Sequence, residues 1–165
     1  MATTFNLISS VTVGSGGAAS IDFTAIPSTY TDLCLVISAR STQANIANSC
    51  GISFNGSTTG FTSKFVEGSG SSVSTFTSNS IIGNVQGTSS TANTFTSINV
   101  YIPNYAGSSN KSFSAETAAE NNATTAYITL GAGLWSNTAA INQVTLTMNN
   151  FVQYSTAYLY GVKNA

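Results

Sequence analysis

The chain has 165 residues, of which four are Lys or Arg, five are Asp or Glu and none is His; the 5% charged fraction compares with about 25% in an ordinary soluble domain. Without histidine there is no Ser-His-Asp or Cys-His activation and no His-ligated zinc, and two cysteines are too few for an all-Cys zinc site, so no enzyme, cofactor or metal is expected. Four basic residues cannot track a phosphate backbone, which excludes nucleic acid as a partner, and a net charge of -1 steers no charged ligand from a distance.

The first segment, Phe5 to Val13, alternates: Phe5, Leu7, Ser9, Val11 and Val13 share one face and Asn6, Ile8, Ser10 and Thr12 the other, which predicts a strand. Gly14-Ser-Gly-Gly17 is a turn; it lacks the Lys of a phosphate loop. Ala19, Ile21, Phe23 and Ala25 then alternate with Ser20, Asp22 and Thr24. Leu33 to Ala39 is apolar on both faces, the mark of a central strand. Ile52-Ser-Phe-Asn-Gly56 carries an Asn-Gly pair between apolar runs, which predicts a hairpin whose return strand covers Phe61 to Val66.

Further strands are predicted over Val73–Ser78, Ile81–Val85, Thr94–Ile102, Lys111–Ala118, residues 125–130, Val144–Met148 and Ala157–Tyr160. A helix of one or two turns is compatible only with Thr117–Asn122 or Ala139–Asn142. Nine to eleven short strands, with turn signals every 8 to 12 residues and no fixed-period repeat, predict an all-β, jelly-roll-like antiparallel β-sandwich in one domain spanning residues 1–165. Residues 68–72, 87–93 and 103–110 are the expected exposed or contact loops.

The N-terminus has no basic region and no apolar run of signal-peptide length, and no window approaches a membrane-spanning stretch, so synthesis in a cytoplasm and no membrane partner are expected. Cytosolic chains seldom keep disulfides, which favours free thiols over a Cys34–Cys50 bridge; Cys34 in Leu33-Cys-Leu-Val-Ile37 reads as a small buried hydrophobe. Lys64, Lys111, Lys163, Arg40, Pro27 and Pro103 are thin protection for the edges of about ten strands. Edges left so bare are expected to be closed or buried in a homo-oligomer.

Candidate chemistry is sparse. Glu116 and Glu120 would share a face about 13 Å apart on a strand, outside the separations of glycosidase carboxyl pairs. Asp22, Asp32 or Glu67 with Asn side chains could offer calcium oxygens, but no EF-hand-like spacing is present. Trp135, with Tyr101 and Tyr105, could form an aromatic platform for a sugar; the competing reading makes Trp135 a sandwich residue with its indole N–H satisfied. Tyr158 and Tyr160 share strand parity and would line a core or a subunit contact.

Several segments together carry a family likeness: Leu7-Ile-Ser-Ser10, Ile26-Pro-Ser-Thr-Tyr-Thr-Asp-Leu33, Ser38-Ala-Arg40, Ile52-Ser-Phe-Asn-Gly56 and Tyr101-Ile-Pro-Asn-Tyr-Ala-Gly-Ser108. Glu120-Asn-Asn-Ala-Thr-Thr-Ala-Tyr127, Gly133-Leu-Trp135 and Tyr158-Leu-Tyr-Gly161 complete them. The chain resembles small structural proteins of tailed bacteriophages, notably those infecting cyanobacteria. The resemblance implies a non-enzymatic virion component, a capsid decoration (cement) protein on the capsid surface. Such a protein would form a homo-oligomer, a trimer by the resemblance, and bind the phage major capsid protein. The alternative function is a tail-fibre or receptor-binding module gripping host glycans through Trp135 and the tyrosines.

Overall fold

The computed structural model describes residues 4–122 and 125–163. Residues 1–3, at the start of the segment read for a leader, and residues 123–124 of the 120–127 likeness lie outside the described residues. Among the described residues twelve strands form, one more than the upper expectation: β1 (Phe5–Thr12), β2 (Ala18–Phe23), β3 (Asp32–Ala39), β4 (Ala47–Phe54), β5 (Phe61–Ser69) and β6 (Ser72–Ser78). The second half supplies β7 (Ile81–Gln86), β8 (Thr96–Ile102), β9 (Lys111–Ala119), β10 (Tyr127–Trp135), β11 (Val144–Phe151) and β12 (Thr156–Val162). No helix forms among the described residues: Thr117 to Ala119 belong to β9, and residues 139–142 are irregular.

The strands make two antiparallel sheets, packed as a sandwich. One has eight strands in the order β1-β12-β3-β8-β9-β10-β5-β6; the other has four, β2-β11-β4-β7. By strand order, β1-β12-β3-β8 and β2-β11-β4-β7 interleave as the double Greek key of a jelly-roll-like sandwich, and the small sheet also packs on β5, β9 and β10 through Phe54 and β7. The remaining strands, β5, β6, β9 and β10, lengthen only the larger sheet. The core lies between the layers and is built by alternate residues: Leu33, Leu35 and Ile37 of β3, Ile98, Val100 and Ile102 of β8, and Ile52, Phe54, Val144 and Leu146 opposite.

Two expectations are corrected by pairing. The Asn-Gly turn after β4 forms, with Asn55 at φ 52° and Gly56 at φ 71°, and Ser57 N donates to the Phe54 carbonyl at 2.9 Å. It does not make a hairpin, because β4 lies in the small sheet and β5 in the large one. Instead the Asn55 side chain accepts from the amides of Asn142 and Gln143 and donates to the Ala140 carbonyl, fixing the corner to the β10–β11 connection. In β1 a bulge falls between Leu7 and Ser9, so the single five-residue face is broken. Ile8 and Val11 pack on the core and Val13 joins it, while Phe5 and Leu7 are exposed.

The two loops expected to be surface features are held by buried cations. Arg40, 7% exposed, donates to the carbonyls of Ser90, Thr91 and Thr94 and to Thr94 Oγ1 at 2.8–3.0 Å, gathering the β7–β8 connection around its fork. Lys111, fully buried at the start of β9, donates to the carbonyls of Gly107, Ser109 and Thr138. Only the tip of the third expected loop, residues 70–71, is a turn; Gly68 and Ser69 continue β5.

Candidate docking face

The chemistry-bearing side chains do not converge. Asp22 accepts from Ser20 Oγ at 2.7 Å and Thr145 Oγ1 at 2.6 Å, bonds that hold its carboxyl below its ordinary pKa. Asp32 accepts from Tyr101 Oη at 2.5 Å and from the Asn104 amide at 2.8 Å. Glu67 accepts from Asn84 Nδ2 and Thr129 Oγ1. Glu116 points outward from β9, and Glu120 follows the end of that strand and accepts from the Asn122 amide at 2.6 Å, so no helix sets the two side by side. Among the described residues no three Cys, Asp or Glu side chains gather as metal ligands, and no helix is long and apolar enough to cross a membrane.

The aromatic residues read as a sugar platform occupy different environments. Trp135 is 2% exposed, stacks on Phe61 at 5.9 Å between ring centroids and meets Phe54 edge-on at 5.6 Å. Tyr105 is fully buried and donates its hydroxyl to the Pro27 carbonyl. Tyr101 lies on the outer face of β8, 36% exposed. Its phenol is pushed up to about 12, first by the hydrogen bond to Asp32 and then by desolvation. Trp135 and Tyr105 thus belong to the interior, and the three rings form no common surface. Cys34 and Cys50 are free: Cys50 faces the core, whereas Cys34 is half-buried on the outer side of β3 rather than in the core. Burial raises both thiols, Cys50 to about 12.

What the structure does gather is apolar surface. Eleven large hydrophobic side chains are exposed among the described residues. Nine of them stand on the eight-stranded sheet: Phe5, Leu7, Val36, Tyr101, Val66, Val73, Ile128, Leu130 and Leu134. The other two, Ile46 and Tyr154, are in connections, and the four-stranded sheet has none. Its outer rows read Asp22–Thr145–Ser53 and Ser20–Thr147–Gly51. The sandwich therefore has one polar outer face and one apolar outer face.

On the apolar face the cross-strand pairing sets side chains in rows. One row runs Thr75–Val66–Leu130–Glu116–Asn99–Val36–Tyr158 from β6 to β12; the next runs Thr77–Lys64–Ala132–Ser114–Tyr101–Cys34–Tyr160. Two apolar patches result, separated by the polar residues Ser97, Asn99, Ser112, Ser114 and Glu116 of β8 and β9. The first holds Phe5, Leu7, Val36 and Tyr101, with Phe5 edge-on to Tyr160 at 6.4 Å. The second lies wholly on the strands that lengthen the sheet, with Val73 75%, Ile128 68%, Leu130 57% and Val66 50% exposed. Large contiguous apolar surface on a soluble protein marks a site of association.

β10 shows why this patch faces out. Its inner face carries Thr129, Gly131, Gly133 and Trp135, and the two glycines leave room for the rings of Phe65 and Phe113. The phenylalanines of the neighbouring strands thus fill the interior that Leu130 and Ile128 would otherwise occupy. Sequence alternation identifies both faces of β10, but the inward one is chosen by rings on β5 and β9. No protein-family model and no curated protein matches the chain.

Proposed function

We propose that the chain is a non-enzymatic structural protein of a phage virion, a capsid decoration protein that docks on the shell through the outer face of its eight-stranded sheet. The observation that carries this reading is the one-sided distribution of apolar surface. A protein that only had to stay soluble would have no reason to expose nine large hydrophobic side chains on one sheet and none on the other. The family resemblance supplies the partner, the phage major capsid protein, and the place, the capsid surface of a virion assembled in the host cytoplasm. It also implies a homo-oligomer.

The mechanism is surface burial. A protein that binds the assembled shell and not its dispersed subunits stabilises the shell by mass action, without turnover or cofactor. With so few charges on the face, the contact holds across a wide range of salt, because screening acts only on charge pairs. The first patch, Phe5, Leu7, Val36 and Tyr101, is assigned to the shell.

Sedimentation with expanded capsids of the encoding phage tests this. Saturable binding at a fixed ratio to capsid subunits is expected, with a raised capsid melting temperature. Val36→Asp and Leu7→Asp should abolish it, whereas Ser49→Asp on the opposite sheet should leave it unchanged. Absence of binding to expanded capsids, or loss with Ser49→Asp alone, would overturn the reading.

A further inference from the structure

We infer that the second apolar patch is covered by a second copy of this chain, related by a two-fold axis that sets Lys64 of each copy against Glu116 of the other. The inference rests on the reading of this outer face as a docking surface, and it names the occupant of one part of it. The centre of the patch is apolar: Val66, Leu130 and Ala132, with Ile128 and Leu134 continuing along β10. Its outward-facing strand positions on β5, β6, β9 and β10 carry two charged side chains, Lys64 on β5 and Glu116 on β9.

Those two charges are opposite in sign and lie on opposite sides of β10, one residue row apart. Strand spacing and rise put their Cα atoms about 12 Å apart, with Leu130 and Ala132 between them. Lys64 Nζ bonds a neutral partner, Thr77 Oγ1, at 3.1 Å. A two-fold contact requires a patch that is its own complement. An axis lying in the face and passing between Leu130 and Ala132 exchanges the positions of Lys64 and Glu116. It therefore forms both ion pairs at once and brings the apolar centres of the two copies together.

The same axis crosses the strands of the two copies at about 70°, nearer to the orthogonal class of sheet packing than to the aligned one. A foreign partner would need no such relation between the two charges. The contact closes at two copies, where the family resemblance implies three. The first patch, on the far side of the polar strip, stays free for the shell.

Charge reversal with light scattering tests the inference. The wild type is expected at twice the 16.9 kDa chain mass. Lys64→Glu and Glu116→Lys each set like charges together twice and should weaken self-association roughly 10- to 100-fold. An equimolar mixture of the two variants makes both pairs attractive again and should restore association, which also shows that each variant folds. Leu130→Lys should give a monomer that the mixture cannot rescue. A monomeric wild type, a three-copy mass unmoved by either reversal, or a mixture that fails to recover would each overturn the inference. Loss of capsid binding by Lys64→Glu in a chain that is monomeric throughout would give the patch to the shell, overturning the second copy while leaving the docking face in place.

Discussion

Gly133 on β10 lies beneath the ring of Phe113 on β9: the two are register partners, and a Cβ at Gly133 would fall 2.0 Å from Phe113 Cζ. The ring cannot simply swing aside, because Phe54 meets it edge-on at 5.8 Å from the opposite sheet. Gly133→Ala should therefore destabilise the fold by about 1–3 kcal/mol, the cost of overpacking a filled core. Gly14→Ala, with open space around the added methyl, is the control and should be close to neutral. Urea melts read as midpoint shifts at unchanged slope check both.

The Lys111 ammonium stands in for a carboxylate-free anchor. Its three backbone acceptors come from the β8–β9 connection and, through Thr138, from the β10–β11 connection. Lys111→Met keeps the aliphatic stem and removes every donor, leaving carbonyls without their partner. The expected loss is about 2–3 kcal/mol. Hydrogen exchange should show faster amide exchange over residues 104–110, with the strand amides of β3 and β8 unchanged apart from the global shift.

The alternation of β2, β3, β8, β9 and β11 was legible because each carries apolar residues on the face that meets the other layer. Three features were not. The bulge after Leu7 reverses which residues of β1 face inward, and no residue in Leu7-Ile-Ser9 signals an extra position. The partner of β4 could not be read from Asn55-Gly56, because a turn fixes the local backbone and not the sheet that the next strand joins. The outward apolar row of β10 could not be read either, since its inner face is completed by Phe65 and Phe113, distant in sequence. The aromatic candidates failed to converge for a related reason: Trp135 and Tyr105 have partners, Phe61 and Pro27, that spacing alone does not place.

Asn55 holds a left-handed backbone and three side-chain hydrogen bonds at once. Asn55→Gly relieves the backbone and loses the bonds; Asn55→Ala loses the bonds and keeps a Cβ in the left-handed region, which costs about 1–2 kcal/mol relative to Gly. Alanine should therefore be the worse substitution by about that amount. Equal losses from the two variants in thermal melts would mean that the side-chain bonds alone hold the corner.

Tyr101 gives the fold an alkaline limit. Its phenol donates to Asp32, and its pKa is raised from an ordinary 10.0 to about 12. The folded chain keeps this proton through a window in which the unfolded chain has lost it. The contribution to stability is therefore whole below the unfolded pKa and disappears as pH rises toward about 12. Tyr101→Phe should remove that part of the pH dependence, so the difference in stability between wild type and variant should shrink across the window. Asp32→Asn removes the acceptor's charge and should move the phenolate absorbance change of Tyr101 to lower pH. Because Tyr101 stands in the patch assigned to the shell, its ionisation also places a negative charge there. Capsid binding should then weaken only as pH approaches about 12 in the wild type and not in Tyr101→Phe, provided the shell itself is intact.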